Sequence, residues 1–302
     1  MSITDEYAAV KQSGGVIDLA SRVKISFTGN DRVRYLNGQI TAKLTAQTGV
    51  QRACVTTAKG KLCADVFIGT WPGSIVVDAD AAVAATLFPR LGKYIVADDV
   101  ELEDVSPSIA IIHCVGVTAE QMSDVPSCTV NRLGIPGIDL APQLREGLAP
   151  IWEKLTARFP VISEELAELL RIEAGIPRWG HELDENTLPA EAGLDRTHVD
   201  FHKGCYIGQE VISRIKSVGH VNRSLRGFVS QNGEPIPQGT RIVTADTPAE
   251  TLGVITSSTF SVGLNRPIAL GYLKRNAAEA GLCAISSEGS IVPVSLHPLP
   301  FV

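Results

Sequence analysis

The last third of the chain constrains the fold most strongly, because it holds short strand-like segments and no convincing helical stretch. Six apolar runs follow Gly219, and Gly, Pro, Asn and Asp residues separate them. They lie at residues 225–229, 241–243, 252–256, 268–273, 282–285 and 291–296. Short strands between turn residues are typical of a small antiparallel barrel. We therefore predict a C-terminal β-barrel domain over residues 220–302.

The part before Gly219 mixes helix and strand patterns. Residues 23–28 alternate apolar and polar side chains, which predicts a half-buried strand, and residues 32–39 follow as a short helix. Two further strands, joined by a hairpin turn at 58–61, are predicted at 54–57 and 64–69. The Ala-rich residues 79–91 predict a helix. This alternation indicates an α+β region over residues 1–219.

Composition excludes several classes of protein. Of 302 residues, 44% are hydrophobic and 20% charged, and the net charge of −6 argues against general binding to nucleic acid or anionic membranes. The sequence shows no signal peptide and no apolar run of membrane-spanning length. Its six cysteines are too few for a disulfide scaffold and lack the spacing of a zinc site. We expect a cytoplasmic protein without a metal site. His181-Glu182 is interpreted as part of a surface turn.

One carboxylate lies where an apolar side chain is expected. Ser163 caps a predicted helix whose apolar stripe begins at Leu166, and seven residues later the same face carries Glu173. A buried carboxylate is costly unless it is paired. Two interpretations stay open: a salt bridge to an arginine such as Arg171 or Arg178, or an acceptor for a ligand with two adjacent donors. A pterin ring is such a ligand.

Residues 195–226 are locally basic, with six cations and three anions in an acidic chain. This segment is either a solvated face or a patch that binds the anionic tail of a ligand, such as a glutamate or a phosphate.

Two further side chains are candidates for catalysis. Cys205 follows His202 and Lys203, and nearby positive charge favours a reactive thiolate, although an unreactive thiol is the alternative. Asp65 starts a strand after a glycine turn. In a functional interpretation, it is a general base or the electrostatic partner of a cationic intermediate. The structural alternative is a strand-edge aspartate whose oxygens accept hydrogen bonds from turn amides.

The segment 203–210, Lys-Gly-Cys-Tyr-Ile-Gly-Gln-Glu, resembles the K-G-C-x-x-G-Q-E signature of the YgfZ branch of the glycine-cleavage T-protein superfamily. Other segments resemble the wider T-protein pattern in the same order, over about residues 14–275. They lie at 28–32, 35–41, 59–61 leading to Asp65, 132–137, 170–177 and 188–194.

The resemblance implies a multi-domain ring around a central folate channel, in which residues 1–219 form two intertwined subdomains and the barrel closes the ring. The ligand implied is tetrahydrofolate or a one-carbon-substituted folate. Glu173 would then bind the pterin, and Arg196 is a loose match to the folate-contacting arginine of the family. The segment around Cys205 would line the channel through Lys203, Gly204, Tyr206, Gly208, Gln209 and Glu210.

Three functions are compatible with this resemblance. The first is a folate-binding protein that supports assembly or repair of iron–sulfur clusters, with Cys205 as the functional thiol and iron–sulfur proteins as partners. The alternative is an aminomethyltransferase, which moves a one-carbon unit from an aminomethyl-lipoyl carrier to tetrahydrofolate with the help of Asp65. Ala64 replaces one of the two family aspartates, which counts against that activity. The third, a folate-dependent demethylase or oxidase, usually requires a flavin domain.

Overall fold

The fold is taken from a computed structural model, which describes residues 2–122, 125–141, 143–277, 279–286 and 289–302. Six α-helices lie in these residues. They are α1 (Ile3–Ser13), α2 (Arg32–Gln39), α3 (Ala84–Gly92), α4 (Leu148–Thr156), α5 (Glu164–Glu173) and α6 (Gln209–Ser217). None of them has the length and apolar character needed to cross a membrane.

Eleven strands precede the barrel and form three sheets. A four-stranded sheet has the order β1-β8-β10-β9, a five-stranded sheet the order β3-β4-β5-β2-β6, and β7 pairs with β11. The strands are β1 (Gly15–Asp18), β2 (Val23–Thr28), β3 (Gly49–Thr56), β4 (Leu62–Trp71), β5 (Ser74–Ala79), β6 (Glu101–Asp104), β7 (Ile109–Ala110), β8 (Ile112–Val115), β9 (Ser127–Asn131), β10 (Pro136–Leu140) and β11 (Gln143–Leu144).

The C-terminal strands close into a six-stranded antiparallel barrel with the order β12-β15-β14-β13-β16-β17. They are β12 (Arg223–Ser230), β13 (Arg241–Thr244), β14 (Gly253–Ser261), β15 (Arg266–Lys274), β16 (Leu282–Ile285) and β17 (Ile291–His297). Closure pairs every strand on both sides, so the barrel has no free sheet edge. The predicted α+β fold with a C-terminal antiparallel barrel is confirmed. The boundary at residue 219 stays a prediction, and the first barrel strand begins at Arg223.

The five-stranded sheet has two chemically different faces. Val55, Ala64 and Val66 point to one face and join the apolar core beneath α2 and α3. Because successive strand residues point to opposite faces, their neighbours Arg52, Asp65 and Phe67 lie on the other side. This polar face is the floor of the cavity described below.

The chain departs from its local pattern at the predicted helix 79–91. Ala79 ends β5, and the Asp80 side chain accepts a hydrogen bond from the Ala82 amide (2.9 Å), which starts a 3₁₀ turn. The α-helix begins only at Ala84. Helices α1, α4 and α6 have no counterpart in the elements predicted from the sequence.

The assignment of Glu182 to a surface turn is wrong. Glu182 is only 2% exposed and accepts hydrogen bonds from Arg171 (2.8 Å), Thr256 (2.7 Å) and Ser257 (2.6 Å). A register shift in β14 separates Ile255 from Ser257 in the ladder. Glu182 therefore joins helix α5 to the barrel through a buried ion pair, and local sequence alone could not show this partner.

Candidate functional site

A cavity of about 370 Å³ lies between the five-stranded sheet, the end of helix α5 and the first strand of the barrel. The polar face of the five-stranded sheet forms one wall, and residues 174–179 after α5 and the loop 190–198 form others. The start of β12 and the C-terminal residues Leu299 and Pro300 complete the lining. This volume is within the range of sites that bind small organic ligands.

Six arginines and three carboxylates of the described residues line this cavity. They are Arg22, Arg52, Arg132, Arg171, Arg178, Arg196, Asp65, Asp80 and Glu191.

Most of these charges already have partners. Arg22 and Arg132 pair with Asp78, Arg171 pairs with Glu182, and Arg178 pairs with Glu168 at 3.0 Å. Glu191 pairs with Arg223 at 3.2 Å. Within the part of the chain that the structure describes, Arg52, Arg196, Asp65 and Asp80 have no ion-pair partner, although Asp80 accepts a hydrogen bond from the Ala82 amide. The charges of the cavity without an ion pair are therefore two cations and two anions.

Asp65 lies on β4, opposite Cys54 of β3. Its carboxylate makes no side-chain hydrogen bond in the described ranges. Burial raises the pKa of Asp65, and although Arg22 opposes the shift, Asp78 and Asp80 reinforce it. A carboxylate with a raised pKa and no partner is suited to accept a proton or to stabilise a nearby cation.

A buried ion network fixes the wall next to Asp65. Arg132 donates to Asp78 (2.7 Å) and to Asp139 (2.6 Å), and Asp139 also bonds His113 (2.9 Å). Burial alone would raise the pKa of Asp78, but Arg132 and Arg22 outweigh it and lower the pKa to about 2. The network links the five-stranded sheet to the four-stranded sheet.

Glu173 forms no salt bridge with Arg171 or Arg178, which pair with Glu182 and Glu168, and its contact with a pterin stays a prediction. It is 2% exposed, as the helix pattern predicts, but it is not among the residues that line the cavity. Its Oε1 accepts hydrogen bonds from the Ser261 hydroxyl (2.6 Å) and the Gly263 amide (3.0 Å). Burial, and then the charge of Glu173, raise the pKa of the adjacent Tyr7. In the structure Glu173 fixes the β14–β15 turn and has no arginine partner among the described residues.

The segment 203–208, which we call the KGC loop, also lies outside the cavity. Lys203 donates from its Nζ to the carbonyls of Asn37 (2.8 Å), Ile40 (2.8 Å) and Ala42 (2.6 Å). Burial lowers the pKa of Lys203 to about 8, and Asp200 opposes the shift. Its ammonium group therefore anchors the loop to the end of α2 and is not directed at a ligand.

The other predicted members of this segment are separated from the cavity as well. Cys205 is exposed, whereas Tyr206 is buried and burial raises its pKa to about 12. Neither these residues nor Gly204, Gly208, Gln209 and Glu210 line the cavity. The role predicted for this segment in lining a ligand channel therefore stays a prediction, and this cavity does not include it.

Gly208 has a structural requirement of its own. Its φ of +91° is unfavourable for other residues, and a Cβ would come within 2.6 Å of Thr56 Oγ1 and the Thr57 carbonyl. The KGC loop thus packs against the hairpin turn that follows β3.

Of the predicted residues, the cavity brings together Asp65 and Arg196, and sequence reasoning missed Arg52, Phe67 and His198. Arg52 and Phe67 could have been found by extending the strand alternation from Asp65 across the hairpin. His198 is buried, and burial followed by the charge of Arg52 lowers its pKa to about 3, so it is neutral. A low pKa of this origin depends on tertiary contacts that no local pattern reveals.

Comparisons with known proteins agree with this architecture. The family model described as "Glycine cleavage T-protein C-terminal barrel domain" matches residues 223–302. An aminomethyltransferase of Rubrobacter xylanophilus is 27% identical over 99% of this chain and 86% of its own length. One from Streptomyces avermitilis is also 27% identical, over 98% of this chain and 88% of its own length.

A solved structure shows the same fold. The glycine cleavage system aminomethyltransferase T of Bartonella henselae superimposes with a TM-score of 0.87 at 18% sequence identity, covering 100% of this chain and 90% of that one. The chain is therefore similar to glycine-cleavage T-proteins in its C-terminal barrel, to aminomethyltransferases along nearly its whole length, and to a T-protein in its fold, and these likenesses do not distinguish the YgfZ branch.

Proposed function

We propose that the protein binds a reduced folate in the central cavity and transfers a one-carbon unit there, as an aminomethyltransferase does. The observation that carries this proposal is Asp65, a carboxylate without an ion-pair partner in the described residues, which lines the central cavity near Arg22. The relatives named above carry the aminomethyltransferase name, so the comparisons favour this function over support of iron–sulfur clusters.

The alanine at position 64 weakens the proposal less than the sequence suggests. Ala64 is fully buried in the apolar core beneath α2 and α3, on the sheet face opposite Asp65. A carboxylate at position 64 would therefore be buried against apolar side chains and would not reach the cavity. The one position of this pair that faces the cavity keeps its aspartate.

The residues of the chain would have distinct roles in the reaction. When bound, a reduced folate supplies the nitrogen that accepts the one-carbon unit. Asp65 would stabilise the positive charge that develops beside it, or accept the proton released there. Arg196, exposed at the cavity and unpaired among the described residues, would hold an anionic part of the ligand. The buried ion pairs of Arg132 and Arg171 keep the walls fixed, which limits the reorganisation needed on binding.

Ligand binding in the cavity can be tested by calorimetric titration with 5-formyltetrahydrofolate. The wild type is expected to bind one molecule per chain. Ala190→Phe, which places a ring into the cavity, should weaken binding by at least about tenfold. Ala119→Phe, at an exposed position elsewhere, should bind as the wild type does. Absence of binding by the wild type, or full binding by Ala190→Phe, would refute the site.

The exposed Cys205 favours a second candidate function, support of iron–sulfur enzymes through a surface thiol. The KGC loop holds this thiol in a fixed position, because Lys203 anchors the loop and Gly208 packs against the hairpin. An exposed thiol on an anchored loop can contact a partner protein or a reactive species.

For this second candidate we expect Cys205→Ser to abolish the recovery of iron–sulfur enzyme activity in a host strain that lacks the gene. Folate titration of the same variant should be unchanged, because Cys205 lies outside the cavity. Cys128→Ser, which removes a partly buried thiol in place of the exposed one, serves as the control. Full recovery with Cys205→Ser would count against the thiol function and leave the folate proposal untouched.

A further inference from the structure

Phe67 lies at the centre of three guanidinium groups on the cavity wall. The guanidinium carbons of Arg132, Arg52 and Arg22 lie 4.0, 5.3 and 5.6 Å from the centroid of its ring. A phenyl face attracts a cation, so the ring can hold each of these side chains in place. The three cations also repel one another across the short distances that the ring imposes.

Two of these three cations are neutralised and the third is not. Arg22 and Arg132 both pair with Asp78, and Arg132 also pairs with Asp139. Arg52 has neither an ion pair nor a hydrogen-bond acceptor in the described ranges of the chain. Burial, and then the charge of Arg132, lower the pKa of Arg52. Asp65 opposes this shift in pKa but forms no salt bridge with Arg52, so the guanidinium lacks a counter-charge in direct contact, which an anion in the cavity would provide.

The strand register gives the spacing between Arg52 and Asp65. Arg52 pairs with Phe67 and Cys54 pairs with Asp65, so Arg52 and Asp65 are diagonal neighbours on the polar face. Diagonal neighbours on an antiparallel pair are about 7–8 Å apart. The two side chains form no salt bridge with each other, although both face the cavity. A ligand can therefore contact Asp65 with one part and Arg52 with another.

We infer that Arg52 is a specificity-determining residue of the cavity and binds a carboxylate of the ligand. The inference rests on the proposed function for the ligand class: in a folate, the carboxylates lie on the glutamate that follows the aminobenzoyl group. A guanidinium donates two parallel hydrogen bonds to a carboxylate, and a neutral substituent on the pterin ring accepts such a pair less well. Phe67 holds Arg52 from one side and leaves its N–H groups available.

Two fragments of folate separate this role from recognition of the ring. 4-Aminobenzoyl-L-glutamate carries the carboxylates without the pterin, and 6-methyltetrahydropterin carries the pterin without carboxylates. Binding of each fragment is measured by ligand-observed NMR. Arg52→Gln should weaken binding of aminobenzoylglutamate by at least about tenfold and leave binding of the pterin unchanged. Arg52→Lys should give an intermediate loss of affinity, because lysine keeps the positive charge but lacks the two parallel N–H donors of the guanidinium.

Arg178→Gln is the matched control. Arg178 also lines the cavity, but Glu168 already pairs with it, so its removal should affect aminobenzoylglutamate less than twofold. Thermal unfolding of each variant checks the fold, and Arg52→Gln should not be destabilised, since it relieves repulsion with Arg132.

Several outcomes would overturn the inference. One is equal binding of aminobenzoylglutamate by the wild type and Arg52→Gln, and another is no binding by the wild type. A third is that Arg52→Gln loses binding of 6-methyltetrahydropterin and keeps binding of aminobenzoylglutamate. If aminobenzoylglutamate binds through Arg52 while 5-formyltetrahydrofolate does not bind at all, the proposed function fails and the carboxylate site remains. If the folate binds and Arg52→Gln has no effect on binding of aminobenzoylglutamate, the proposed function stands and the role inferred for Arg52 fails.

Discussion

Asp65→Asn should reduce the rate of one-carbon transfer by about 10²- to 10⁴-fold, the contribution typical of one positioned acid–base group, while folate still binds. Asparagine keeps the size of the side chain and removes its negative charge. Because Asp65 has no ion pair among the described residues, the substitution breaks no salt bridge and leaves no buried cation unpaired. The loss therefore reports on chemistry and not on folding.

The rate should be measured with an aminomethyl-lipoyl carrier and tetrahydrofolate, over a range of pH. Both roles considered for Asp65 need the ionised carboxylate, so activity should rise as pH increases through its pKa. Burial raises that pKa, so this rise should lie at higher pH than for an ordinary aspartate. Asp65→Asn should be slow at every pH and should not show this rise in the rate of one-carbon transfer.

Asp80→Asn is the control for this experiment. Asp80 lines the same cavity, but its side chain accepts a hydrogen bond from the Ala82 amide, which an asparagine oxygen can also accept. Its rate should stay within about threefold of the wild type. If Asp65→Asn were as active as Asp80→Asn, Asp65 would have no catalytic role and the aminomethyltransferase proposal would lose the observation that carries it.

Much of the fold could be predicted because its signals are local. Period-two alternation gave β2, and the six barrel strands followed from short apolar runs between turn residues. The cap at Ser163 was also visible, and its side chain does accept a hydrogen bond from the Leu166 amide. Helix α6 was missed because its first residues lie within a motif that was interpreted chemically and not as a helix start.

The site was predicted less well, because the sequence does not show which way a buried polar group points. The helix pattern correctly placed Glu173 inside, but the partners that decide its role, Ser261 and Gly263, lie about ninety residues away. The KGC loop was expected at the cavity, yet Lys203 is anchored by carbonyls near the end of α2. Strand alternation was more reliable, since it fixes the face on which Asp65 lies.

Arg132→Met should destabilise the protein by about 3–5 kcal/mol, because it leaves Asp78 and Asp139 buried without their main counter-charge. The expected loss is larger than for an exposed pair. Arg145→Met is the control, since Arg145 contacts Asp18 at 3.7 Å and both side chains are partly exposed, so its loss should cost at most about 1 kcal/mol. Urea unfolding at neutral pH compares the two variants.

The pH dependence distinguishes a charge effect from a packing effect. The pKa of Asp78 is lowered to about 2 in the folded protein, so its stabilising contribution is present above the unfolded value of about 4 and is lost as pH falls towards 2. The wild type should therefore lose stability over that range. Arg132→Met should lose less stability, because its unpaired carboxylates take up protons more readily. The difference in the free energy of unfolding between the two proteins should therefore become smaller as the pH falls. A gap that stays constant down to pH 2.5 would mean that Arg132 stabilises the protein by packing on Phe67 and not by its charge.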